Sequence, residues 1–137
     1  MIYLHIGQEK TGSTAIQSFL NYAEKRSKLI EKNIFYASFF HKPNSMPFVL
    51  YALGPAKNNL SKPFFKTNEE YLSFSAKIED RLNRIASAAS KESKIIFSSE
   101  HFHAQFRSEE KIRRLKSIIN NFFPDQCFFW LDLLLPN

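Results

Sequence analysis

Apolar positions open the chain as a short run, Ile2-Tyr3-Leu4-His5-Ile6, the length and composition of a buried strand. Polar residues follow, and then Ala15, Ile16, Phe19 and Leu20 recur at helical spacing, predicting a helix from near Gly12 to Tyr22. Leu29 and Ile30 fit a second short helix, and Ile34 to Ala37 a second strand. From Ser38 to Thr67 the pattern turns irregular, broken by Pro43, Pro47, Pro55 and Pro63, with room for one or two helical turns over Phe48–Leu53. Asn68 is placed to cap a long helix, Glu69–Ser90, with Tyr71, Leu72, Phe74, Ile78, Leu82 and Ile85 on its inner face. Ile95–Ser98 returns as a buried strand, and Ser108 caps a helix from Glu109 to about Phe122. Strands alternating with helices predict a parallel α/β sheet flanked by helices in three layers, with ligands bound at the C-terminal strand ends. That rule brings residues 7–14 and 98–103 to one edge.

The segment Gly7-Gln8-Glu9-Lys10-Thr11-Gly12-Ser13-Thr14, between a strand and a helix, has the makings of a phosphate cradle. Unpaired N–H groups and the dipole at a helix N-terminus attract anions. Gly7 and Gly12 admit close backbone approach, Lys10 supplies a full charge, and Thr11, Ser13 and Thr14 offer hydroxyl donors. The common nucleotide triphosphate loop places its lysine directly after the second glycine. Here Ser13 holds that position and Lys10 lies two residues before Gly12, which argues against ATP or GTP hydrolysis.

The run His5-Ile6-Gly7-Gln8-Glu9-Lys10-Thr11-Gly12-Ser13-Thr14-Ala15-Ile16-Gln17-Ser18-Phe19-Leu20 resembles the 5′-phosphosulfate loop of the sulfotransferase family, in particular bacterial members reading H-I-G-x-x-K-T-G-T-T-x-I-Q-x-F-L. Lys94-Ile95-Ile96-Phe97-Ser98-Ser99-Glu100-His101-Phe102 is similar to that family's strand ending in a Ser-Glu pair, and Phe122-Phe123-Pro124-Asp125 to the turn before its 3′-phosphate strand. The resemblance implies a P-loop NTPase-like sulfotransferase core and transfer of a sulfuryl group from PAPS (3′-phosphoadenosine 5′-phosphosulfate) to a hydroxyl or amine of a carbohydrate, lipid or small molecule. It implies nucleotide contacts from Gly7, Lys10, Thr11, Gly12, Ser13, Thr14 and Ser98. Lys10 would neutralise leaving-group charge; Glu100 would be the general base, with His101 second because imidazole titrates near neutrality. The family's arginine and serine that bind the 3′-phosphate have no counterpart after Arg114, and the tail from Gln126 to Asn137 is unusually apolar. The expectation is a single partial domain over residues 1–137, a truncated or frame-shifted copy with impaired activity. A different reading of the same residues is a catalytically silent phosphate-binding remnant or interaction protein.

Composition narrows these readings only slightly. The chain of 137 residues suits one domain, and 15 Phe is a heavy load for that length, pointing to an aromatic core and to apolar surface prone to self-association. A net charge of +6 favours anionic ligands in general. Arg107, Lys111, Arg113, Arg114 and Lys116 crowd one predicted helix, but Glu109 and Glu110 dilute them and no nucleic-acid motif accompanies them, so they read as a solvated face. The one cysteine, Cys127, precludes an intramolecular disulfide. His101 and His103 at i, i+2 would fall on opposite faces of a strand without a third ligand, so no metal is expected. Without a signal-like opening or an apolar run of about 18 residues, the expected location is cytoplasmic and no membrane span is expected. His5, within the first strand, reads as a core histidine with its hydrogen bonds satisfied.

Overall fold

The computed structural model describes residues 1–6, 13–55 and 59–131. Four strands form one all-parallel sheet: β1 (Ile2–His5), β2 (Ile34–Tyr36), β3 (Lys94–Ser98) and β4 (Phe128–Leu131), in the spatial order β2-β3-β1-β4. The helices between them are α1 (Ser13–Lys25), α2 (Met46–Leu53), α3 (Asn68–Ala88), α4 (His101–Gln105) and α5 (Glu109–Phe122), with a 3-10 turn at Ile30–Lys32. β1 lies inside the sheet, pairing with β3 in the register Ile2↔Ile95 to His5↔Ser98 and with β4 from Ile2↔Phe128.

Strand alternation divides the apolar residues between two faces. Ile2, Leu4, Ile95 and Phe97 share the main core with α2, α3 and α5, while Ile34, Tyr36 and Ile96 pack with Leu20 and Ala23 of α1 on the other side. Phenylalanine fills the main core: Phe48 packs against Phe97 with ring centres 4.6 Å apart and the rings tilted by 37°, and Phe65, Phe74 and Tyr71 form a linked aromatic group. Such pairs add roughly 0.5–1.5 kcal/mol to the burial of their area.

The irregular stretch contains an apolar helix. α2 buries Pro47, Phe48, Val49, Leu50 and Ala52 against α3, α4 and α5, the behaviour of a helix that is hydrophobic all round. Ser45 ties its start to the sheet: the Ser45 hydroxyl donates to Ala37 O at 2.7 Å and accepts from Ser98 N at 2.9 Å, while Ser45 N donates to Ser98 O at 2.7 Å.

Two expected faces are corrected. Ile16 and Phe19 of α1 are exposed, and with Tyr22 they form a stripe at i, i+3, i+6. The buried side of α1 is Gln17, Leu20 and Ala23, because this is the row that meets β2 and β3. On α3, Leu72 is 67% exposed, while Phe74, Ile78, Leu82 and Ile85 face the core as the spacing requires.

Candidate functional site

The site is organised by the neighbouring ends of β1 and β3. Because the strands are parallel and His5 stands opposite Ser98, the chain leaves both at the same edge. From β1 it proceeds through Ile6 towards α1, which begins at Ser13; from β3 it passes Ser99 and Glu100 into α4. Gly7, Lys10, Thr11 and Gly12 lie outside the described residues. Thr14 is exposed in the first turn of α1.

At the β3 end, the Glu100 carboxylate is one-quarter exposed and accepts a hydrogen bond from Gln17 Nε2 at 3.2 Å. Gln17 itself is only 2% exposed. A buried amide needs partners, and here it uses one of its donors to hold the carboxylate. His101 Nε2 lies 3.9 Å from the other Glu100 oxygen, at ion-pair range when the imidazole is protonated. The structure therefore brings Glu100 and His101 together, on a short helix that the apolar pattern does not announce. His101 N is received by Ser99 Oγ at 3.2 Å, which pins the turn from strand to helix.

Ser98 faces inward. Its hydroxyl is fully buried and stands 2.7 Å from His5 Nδ1, so this serine and the core histidine cross-link β3 and β1 beneath the site. Ser99 N donates to His5 O at 3.1 Å in the same place. On the α1 side of the sheet, burial above all raises the Tyr36 phenol well beyond its ordinary range; Glu24 and Glu100 add to that, against a smaller opposing pull from Ser98. The Tyr36 hydroxyl donates to Pro43 O at 2.5 Å.

Sequence reasoning passed over Gln17 and Ser45 as site-building residues. Gln17 carried a readable signal: a polar residue at i−3 from Leu20, on the inward row of an amphipathic helix. Ser45 carried none, since its role depends on the fold of the 38–45 segment.

Arg81 of α3 closes the outer edge of β2. It pairs with Glu24 of α1 and donates to the carbonyls of Tyr36 and Ser38 at 3.3 and 3.4 Å. Beside it, Phe40 and His41 follow one another with φ of 53° and 59°, a left-handed conformation costing of order 1–3 kcal/mol at each bulky residue. Among the described residues, no group of three His, Cys, Asp or Glu side chains is placed to hold a metal ion, and no helix is long and apolar enough to cross a membrane. No family model, curated protein or solved structure matches the chain.

Proposed function

We propose that this protein is a sulfotransferase-type enzyme that binds PAPS at residues 7–14 and transfers its sulfuryl group to a hydroxyl or amine. The observation that carries the reading is the juxtaposition of β1 and β3. It puts the end of β1, from which the Gly- and Lys-containing segment departs, at the same edge as the carboxylate of Glu100, which accepts a hydrogen bond from Gln17 of α1, the helix that this segment precedes in sequence. The residues suit the nucleotide: Gly7 and Gly12 for close backbone approach, Lys10 for charge, and the exposed Thr14 hydroxyl at the start of α1 for an anionic oxygen.

PAPS supplies the sulfuryl group, whose bond to the 5′-phosphate oxygen breaks as the acceptor oxygen or nitrogen bonds to sulfur. Glu100 receives the acceptor proton. Gln17 fixes the orientation of that carboxylate and leaves its second oxygen towards His101, which serves as the nearest relay for the proton. Lys10 balances the charge on the departing adenosine 3′,5′-bisphosphate.

Transfer from radiolabelled PAPS to a panel of hydroxyl and amine acceptors tests this reading. Glu100→Gln is expected to lower the rate by about 10²–10⁴-fold, the usual contribution of a positioned base, with nucleotide affinity retained. Nucleotide binding without any transfer, in the native chain and the variant alike, would favour the silent phosphate-binding protein.

A further inference from the structure

Among the described residues, the outward side of α1 is the one helix face that carries three large apolar side chains in succession. Ile16, Phe19 and Tyr22 follow one another at i, i+3 and i+6 and are 38%, 66% and 52% exposed. The helix packs inward through Gln17, Leu20 and Ala23, so these three project into solvent. Exposed apolar residues on the other helices stand singly, as Leu72 does on α3 and Ile112 on α5, which is ordinary for a protein surface.

The charge on this face has one sign. Lys25 and Arg26 close the helix and Lys28 follows in the next turn, all three exposed. The Arg26 guanidinium lies over the Tyr22 ring, 4.7 Å from its centre, which joins the basic end to the apolar stripe as one surface. Glu24, the only carboxylate of α1, turns away to pair with Arg81. Glu31, in the 3-10 turn beyond, is offset by the adjacent Lys32.

An occupant of this face has to accept protruding apolar side chains and carry negative charge. A second copy of the chain brings the same net charge of +6 and the same basic end. A protein partner has to supply a groove, because a helix stripe is convex. A bilayer with anionic headgroups meets both demands without one: aliphatic and aromatic side chains enter the headgroup boundary, the tyrosine keeps its hydroxyl at the wet level, and the cations meet negative headgroups.

We infer that α1 lies on an anionic lipid surface, with Phe19 entering the interface and Lys25, Arg26 and Lys28 meeting the headgroups. The attachment is peripheral and reversible, and it does not depend on the sulfuryl-transfer reading.

Co-sedimentation of the intact chain with vesicles of phosphatidylserine and phosphatidylcholine in equal parts, beside vesicles of phosphatidylcholine alone, tests the inference. The chain is expected to bind the anionic vesicles, less as salt is raised, and the neutral ones at least tenfold more weakly. Replacing Lys25, Arg26 and Lys28 together by Gln should weaken anionic binding about a hundredfold, at about fivefold for each cation near such a surface. Phe19→Ser should weaken it about tenfold, whereas Leu72→Ser, which removes an equally exposed apolar residue from α3, should leave it unchanged. The substituted residues are exposed, so the variants keep the fold, which circular dichroism verifies. Failure to bind anionic vesicles, equal affinity for neutral ones, or an equal loss in Leu72→Ser would each overturn the inference. Full retention in Phe19→Ser would do so too, by reducing the contact to general adsorption of a basic protein. Soluble poly-glutamate that binds the chain and loses as much affinity through Phe19→Ser would assign the face to an acidic protein instead.

Discussion

Ser45, Gln17 and Tyr36 are the residues on which the site's support depends most. Ser45 makes three buried hydrogen bonds, two with Ser98 at the end of β3 and one back to Ala37 O within its own segment. Ser45→Ala leaves Ala37 O and Ser98 N short of a partner, so unfolding in urea should show a loss of about 1–3 kcal/mol. Tyr36 sets a pH limit. Its folded pKa lies above that of the unfolded phenol, about 10, so the unfolded chain releases a proton that the folded one retains. Stability is whole below the unfolded value and falls as pH rises above it, with a slope approaching about 1.4 kcal/mol per pH unit from this group. Denaturation at successive alkaline pH values checks this, and Tyr36→Phe should flatten the decline. The core role of His5 was legible because an imidazole in a strand of apolar neighbours must find a partner inside; Ser98, its partner, is close only through strand pairing.

Elements were more legible than their roles. The helix α5 begins after Ser108 as its capping pattern requires, with Ser108 Oγ accepting from Lys111 N. For α3 the pattern pointed one residue too late: Thr67, not Asn68, is the cap. Thr67 and Glu70 form a reciprocal box, with Glu70 N donating to Thr67 Oγ1 at 3.1 Å and Thr67 N to the Glu70 carboxylate at 3.3 Å. The T-x-x-E spacing was present in the sequence, but a neighbouring Asn is an equally good cap by residue type. Thr67→Ala should cost about 1 kcal/mol, read as a lower urea midpoint with an unchanged slope. The extent of α2 was hidden by Pro43, Pro47 and Pro55, although Pro47 sits where a first helical turn tolerates it. β4 escaped notice because its apolar run reads equally as a disturbed tail. α4 is too short for periodicity to reveal.

Across the whole molecule, alternation of strand and helix announced a parallel sheet, yet only pairing reveals the order β2-β3-β1-β4 that sets β1 beside β3. That order makes the proximity of Glu100 and Gln17 of α1 a consequence of topology rather than of sequence spacing. The apolar stripe of Ile16, Phe19 and Tyr22, together with the exposed Phe129 stacked near Tyr3, shows why hydrophobic periodicity overstated the inner face of α1: apolar residues there are also a surface. The central claim is that residues 7–14 bind the nucleotide of a sulfuryl donor through Lys10. Isothermal calorimetry with adenosine 3′,5′-bisphosphate, on the native chain and on Lys10→Ala, tests it most directly. The account predicts saturable binding by the native chain, weakened at least tenfold in the variant by loss of a charge-assisted contact; no binding by the native chain, or equal affinity in both, would contradict it.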